Sequence, residues 1–251
     1  MYEGFAGVYD YMMSSIPYDA WRDLLCTYLA GRGITKGTVC ELGCGTGSMT
    51  ERLAAAGFDM IGVDLSADML AVAQGRKEES GQDILYLQQD MEQLELAAPV
   101  DVILSVCDSM NYILEEEGMR NVFARVHKYL KPDGYFIFDL KTIYCYRNII
   151  GSRTWAEHDE EVSYIWDNYF YEDEGINEYL LTIFYRQKDS GLYERIDEVH
   201  YQRAYSVLQL KGLLEDRGLC IMDCFDASGK KPVEDSERIY IAARRQEDED
   251  E

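Results

Sequence analysis

The chain is poor in positive charge. Its 24 Lys and Arg stand against 47 Asp and Glu, a formal net charge of −23, so its mean surface repels phosphate backbones and anionic lipid. Neither nucleic acid nor a membrane is an expected partner. The final QEDEDE, at 246–251, is a run of like charge expected to be a disordered acidic tail. No apolar run of about 18 residues occurs, so no membrane-spanning helix is predicted. The opening MYEGFAGVYDYMM lacks the basic segment and apolar core of a secretory leader. The seven cysteines, at 26, 40, 44, 107, 145, 220 and 224, include no CxxC pair and have no neighbouring histidine cluster. They read as buried reduced thiols, which points to the cytoplasm and away from a disulfide frame or any metal site.

What is present is an alternation of two periodicities. Helical spacing marks 17–29 (Trp21, Leu24, Leu25, Tyr28, Leu29), 48–56, 67–74 and 118–130; short apolar strands fall at 38–42, 59–63, 84–87, 100–106 and 135–140. Ser66 reads as a helix N-cap. The strand at 100–106 is apolar on both faces, as in the centre of a parallel sheet covered by helices. After 140 the pattern changes to aromatic, β-branched segments at 161–172, 177–188 and 192–204, separated by the turns DEGI and DSG. A helix at 205–218 and two strands, LCIMDCFDA and ERIYIAAR, close the chain. The predicted fold is α/β: a doubly wound, mostly parallel seven-stranded sheet, with a three-stranded antiparallel insertion of about 60 residues after the fifth strand. At 251 residues, one large domain carrying an insertion is acceptable.

Between the first strand and the helix at 48 lies VCELGCGTG, with glycines at 43, 45 and 47. Glycines at a strand's carboxyl end let the backbone turn sharply and approach a ligand, because no Cβ fills that space. A dinucleotide fingerprint would need a third glycine at 48, where Ser48 stands, and no Gly-Lys-Ser/Thr follows to make a P-loop.

This motif resembles motif I of the class I S-adenosylmethionine-dependent methyltransferases, and the likeness extends over roughly residues 5–140. It implies S-adenosylmethionine as cofactor. Glu41 takes the acidic position of motif I, facing the cofactor's amino group directly or through water. The backbone around Gly43, Cys44, Gly45 and Gly47, at a helix start, faces its carboxylate. Asp64, in MIGVDLSADML, would accept from the ribose hydroxyls, with Leu65 beside it. Asp90 and Met91, in LYLQQDM, would hold the adenine. Cys107, in the CDSMNY that follows the fourth strand, would line the methionine end. Tyr9, in FAGVYDYMMSSIPYDAW, resembles the tyrosine that closes over the cofactor in the small-molecule branch. The expected cofactor-binding core is 1–140 with 205–245, the latter resembling the family less specifically, and the position of 141–204 after the fifth strand, with its load of aromatics, makes that insertion the expected lid over the substrate.

Methyl transfer is an in-line displacement, so the protein's share is positioning and exclusion of water, plus a base where the acceptor carries a proton. No Asp/Asn-Pro-Pro-Tyr follows the fourth strand. The chain thereby departs from the amino-methyltransferases of DNA and of protein glutamine, which with the net charge favours a small-molecule or a protein acceptor; of these, a small-molecule nitrogen or oxygen acceptor is expected. His200 and Tyr112 are the candidate catalytic residues. Asn111, Tyr112, Trp166, Tyr169 and His200 are candidates for substrate binding, with Tyr171, Phe184, Tyr185, Tyr193 and Tyr201 as further aromatic lining of the lid. Two other readings stay open at this point. One is a non-catalytic cofactor-binding or dimerisation protein of the same fold, and a homodimer is compatible with either. The other is an NAD-dependent oxidoreductase, disfavoured by Ser48 and by the lack of a Tyr-x-x-x-Lys pair.

Overall fold

The architecture is that of a computed structural model in which residues 4–187 and 190–246 are described. From residue 247 onward the expected acidic tail lies outside the described residues. Two helices, α1 (Gly4–Met12) and α2 (Tyr18–Ala30), precede β1 (Thr38–Leu42). Then come α3 (Ser48–Ala55), β2 (Asp59–Asp64), α4 (Ala67–Ser80), β3 (Ile84–Gln88), β4 (Val100–Ser105), α5 (Glu116–Tyr129) and β5 (Leu130–Lys141). An antiparallel unit follows, made of β6 (Arg153–His158), β7 (Val162–Tyr171), β8 (Ile176–Arg186) and β9 (Tyr193–Arg203). The chain closes with α6 (Val207–Glu215), β10 (Leu219–Asp226) and β11 (Arg238–Arg245).

The main sheet has seven strands in the order β10-β11-β5-β4-β1-β2-β3; β11 runs antiparallel to β5 and to β10, and the remaining neighbours are parallel. Alternate residues of its central strands feed two cores. Val39, Val102, Leu104, Ile137 and Tyr240 pack with Trp21, Leu25 and Leu29 of α2 and Met49 and Leu53 of α3. Leu42, Ile103, Phe136, Phe138 and Ile241 pack on the other side with α5 and α6. Helix α5 shows why: Met119, Val122, Phe123 and Val126, at helical spacing, are all fully buried, at roughly 1.5–3 kcal/mol per side chain. Glu116 and Glu117 in its first turn and His127 and Lys128 in its last complement the helix dipole. Helix α6 opens with a capping box between Ser206 and Gln209.

The strand order reverses between β1 and β4, so the segments leaving their carboxyl ends diverge and open a crevice. Over that end lies a four-stranded sheet, β6-β7-β8-β9, where three strands were expected. The additional strand, β6, has all six residues exposed and only Trp155 and Ala156 as apolar members, so it carries no alternation for a pattern to detect. A π-helical turn, Cys145–Ile150, links β5 to β6 and buries Tyr146 completely.

Candidate active site

The site is built where β1, β2, β3 and β4 end. Gly43, Gly45 and Gly47 all have left-handed backbones, with φ of 69°, 54° and 78°, a region where L side chains are strained. Their surroundings differ. A Cβ on Gly43 would stand 2.6 Å from Ser109, and one on Gly47 would strike the Tyr86 hydroxyl, whereas one on Gly45 meets no protein atom within 4 Å. Gly45 is therefore the point at which the turn shows bare backbone to open space.

Asp64, half-buried at the end of β2, accepts from the Gly45 amide at 2.7 Å and from the Ser66 amide at 2.9 Å. Each oxygen keeps lone-pair capacity for a further donor. The next residue, Leu65, is 68% exposed. Glu41 is buried, and its Oε2 accepts from the Thr50 hydroxyl at 2.5 Å. Burial pushes its carboxyl up to about 8 against the pull of Thr50. Asp90 caps the short turn Met91–Gln93 through the Glu92 amide at 2.9 Å. The methyl end of Met91 would lie 3.4 Å from a Cβ on Gly43, which brings the end of β3 to the glycine turn. Cys44 is buried beside it.

The turn after β4 is strained. Cys107 and Asp108 are consecutive non-glycine residues with φ of 65° and 56°, each at a cost of about 1–3 kcal/mol. Bonds from three strands hold it. The Asp108 amide donates to Asp139 Oδ1 at 2.8 Å. The Asp108 carboxylate accepts from Lys141 Nζ at 2.7 Å, Arg238 Nη2 at 2.7 Å and Gln202 Nε2 at 2.9 Å. Burial would raise the Asp108 carboxyl, but Lys141 and Arg238 outweigh it and hold the group well below the usual carboxylate range. Arg238 also binds Asp139 at 2.5 Å. The Cys107 thiol, 3.9 Å from the Tyr18 hydroxyl, is pushed by burial up to about 12 and stays protonated.

Beyond this turn, the short helix Ser109–Tyr112 meets the inner face of the antiparallel sheet. The Tyr112 hydroxyl shares a 2.5 Å hydrogen bond with the Tyr179 hydroxyl and stands 3.3 Å from His200 Nδ1. His200 stacks on Tyr179 with ring centroids 4.7 Å apart and lies 5.6 Å from Phe5 of α1. Its Nε2 is buried with no protein partner among the described residues. Burial, then Lys141, lowers its pKa, so the neutral imidazole dominates at pH 7. Tyr9 sits 5.7 Å from Phe5 on the same helix, and Asp10 ties that helix down. Its carboxylate accepts from Thr46 Oγ1 at 2.6 Å and pairs with Arg76 of α4 at 2.5 Å.

Several expected substrate contacts are placed elsewhere. Asn111 is fully buried and spends its amide on backbone: Nδ2 donates to the carbonyls of Arg203 and Lys141, and Oδ1 accepts from the Lys141 amide. It joins β5, β9 and the turn and has no free donor for a substrate. Tyr169, 45% exposed, lies on the outer face of β7, opposite to Trp166. Tyr171 and Tyr201 share that outer face and both donate to Glu178, at 2.7 and 2.8 Å; Phe184 lies on it too, and Tyr193 donates to the Glu160 carbonyl. Strand alternation shows which aromatics share a face but not which face turns inward. Trp166 and Tyr185 are on the inner face, and Trp166 packs 5.3 Å from Tyr179. Tyr179, Asp108, Asp139, Lys141, Arg238 and Gln202 were not singled out from sequence; Asp139 and Arg238 meet across 99 positions, and no local pattern marks such a pair.

A model of the methyltransferase domain matches residues 39–134. A protein of Geobacillus sp. (strain WCH70) named as a methyltransferase is 39% identical over 97% of this chain and 99% of its own length. YqeM of Bacillus subtilis (strain 168), also named as a methyltransferase, is 34% identical over 98% of this chain and 97% of its own. The crystal structure of an S-adenosylmethionine-dependent methyltransferase from Clostridium acetobutylicum ATCC 824 is similar with a TM-score of 0.87 at 29% identity, over 97% of this chain and 98% of that one. The chain belongs to the class I S-adenosylmethionine-dependent methyltransferases.

As a methyltransferase it uses S-adenosylmethionine, and the crevice fits that molecule. The bare backbone of Gly45 leaves room for close approach, and three acidic side chains, Glu41, Asp64 and Asp90, stand at or just past the ends of three adjacent strands. Among the described residues no helix is long and apolar enough to cross a membrane, and no group of His, Cys, Asp and Glu could hold a metal ion.

Proposed function

We propose that this methyltransferase moves the methyl group of S-adenosylmethionine to a nitrogen or oxygen of a small molecule held between the Ser109–Tyr112 turn and the inner face of the antiparallel sheet. The observation that carries the reading is the cluster of Tyr112, Tyr179 and His200 at the end of β4, with His200 Nε2 buried and free of protein partners. Curated relatives of lower coverage support both acceptor atoms by name. A ubiquinone biosynthesis O-methyltransferase of Methylococcus capsulatus is 35% identical over 45% of the chain, and a glycine/sarcosine N-methyltransferase of Halorhodospira halochloris is 28% identical over 62%.

When bound, S-adenosylmethionine supplies an electrophilic methyl on a sulfonium leaving group. The chain's own residues then divide the work. Asp64 accepts from the ribose hydroxyls and Leu65 covers an adenine held by Asp90 and Met91. The turn from Gly43 through Cys44 to Gly47 presents amides to the carboxylate, Glu41 answers the amino group, and Cys107 lines the methionine end. Tyr9 and Phe5 of α1 close the crevice against water. On the acceptor side, neutral His200 takes the proton of the attacking group at Nε2, with Tyr112 and Tyr179 fixing the ring through Nδ1 and by stacking. Trp166 completes the wall. In this reading 141–204 is the lid and the remainder of the chain, to 245, is the core. Seven unpaired thiols suit a reducing compartment, the cytoplasm.

The test is single-turnover transfer from methyl-labelled S-adenosylmethionine to a panel of small amines and hydroxylic compounds, beside a protein fraction. Label in a small molecule, slowed by His200→Ala, is expected. Label confined to protein, or transfer indifferent to His200→Ala, contradicts the proposal.

A further inference from the structure

Strand β9 and the turn after β4 meet at three points. Asp108 accepts from Gln202 Nε2 at 2.9 Å, Asn111 Nδ2 donates to the Arg203 carbonyl at 2.8 Å, and Tyr112 stands 3.3 Å from His200. Gln202 and His200 are two residues apart on β9 and so share its inner face. Gln202 is 1% exposed, and its amide is used at both ends, because Oε1 accepts from the Tyr146 hydroxyl at 3.0 Å. Tyr146, fully buried in the π-helical turn, stacks on Phe170 of β7.

Asp108 is anchored from the core by Asp139, Lys141 and Arg238, and Gln202 is the insertion's contribution to the same carboxylate. A neutral amide suits the position. It offers a donor to an ionised carboxylate and an acceptor to a phenol without adding a charge to a buried cluster whose two acids and two bases already balance. We infer that Gln202 is a positioning residue for the acceptor side: by holding Asp108 it sets where β9 lies against the Ser109–Tyr112 turn, and so brings His200 to Tyr112. Its importance for the reaction rests on the reading of His200 as the base; the coupling itself does not.

The coupling is read from His200 directly, without an acceptor. The groups packed against that ring are Tyr112 from the turn, Tyr179 from β8, Phe5 from α1 and, by charge, Lys141 at the end of β5. The experiment records the ring resonances of His127, His158 and His200 against pH in the full chain with S-adenosylmethionine present, for wild type, Gln202→Leu and Tyr146→Phe, with cofactor affinity measured by calorimetry. Loosening β9 is expected to hydrate His200 and move its titration measurably upward, toward the ordinary histidine value, in Gln202→Leu. The shift in Tyr146→Phe should be smaller and of the same sign. His127 and His158 should not move, and cofactor affinity should stay within about twofold. An unmoved His200 in a folded Gln202→Leu protein overturns the inference, as does a common shift of all three histidines. If Gln202→Leu fails to fold, Tyr146→Phe decides alone, and an unmoved His200 there overturns the inference. The base reading fails separately, by His200→Ala leaving single-turnover transfer unchanged.

Discussion

The Gly45 amide donates to Asp64 Oδ2 across 2.7 Å, so the end of β2 holds the middle of the glycine turn. One carboxylate thereby fixes the backbone that faces open space at Gly45 and stands where the ribose is proposed to bind. Gly45→Ala separates folding from binding. Its left-handed φ makes alanine cost about 1–2 kcal/mol of stability, while the added methyl enters open space and should lower S-adenosylmethionine affinity more than tenfold. Gly47→Ala adds a collision with Tyr86 to the same strain and should be the less stable protein. Thermal melting and calorimetry on the two variants check the contrast.

Glu41 predicts a pH dependence. Burial raises its folded-state carboxyl from 4.5 to about 8. A raised carboxyl favours the folded state most below the unfolded value, and that contribution is lost as pH rises from about 4.5 through about 8. Glu41→Gln should flatten this slope and gain about 2 kcal/mol at pH 8 relative to wild type, as read by urea denaturation across that window. If Glu41 answers the cofactor's amino group, binding near pH 7 should also release protons, and the calorimetric heat will vary with the ionisation enthalpy of the buffer.

His200 predicts a rate profile. Its folded-state pKa lies below the ordinary histidine value, so methyl transfer should rise as pH climbs through that lower pKa and then level off, at a lower pH than an ordinary histidine would give. Tyr112→Phe removes the hydroxyl beside Nδ1 and should lower the single-turnover rate about tenfold with cofactor affinity unchanged.

Asp10 predicts a release rate. It fastens α1 to the glycine turn through Thr46 and to α4 through Arg76, and both members of the ion pair are about one-third exposed. With that exposure the pair is worth about 0.5–1 kcal/mol, so Arg76→Ala should speed S-adenosylmethionine release about two- to fivefold in stopped-flow displacement.

The positions proposed to hold the cofactor could be counted along the sequence because they are local. Glu41, the three glycines, Asp64 and Asp90 each sit at the end of a short apolar strand, and strand ends can be counted along a sequence. The acceptor side was legible only in part. His200 and Tyr112 are candidates from the sequence, but Tyr179 reaches Tyr112, and Gln202 reaches Asp108, only through the docking of the antiparallel sheet on the turn, contacts spanning 67 and 94 positions. Tyr169 and Asn111 show the complementary failure. An aromatic on an alternating strand has equal claim to either face, and a polar side chain near a motif is equally suited to join backbones. The strand β6 went unseen because its residues are exposed and bury no stripe.

One crevice is proposed to have a cofactor side held by Asp64 and an acceptor side served by His200. The most direct test is calorimetric titration of S-adenosylmethionine into wild type, Asp64→Ala and His200→Ala. Binding lost, or weakened by at least about a hundredfold, in Asp64→Ala and kept within about twofold in His200→Ala is the predicted result. Full affinity in Asp64→Ala, or its loss in a folded His200→Ala, would contradict that division.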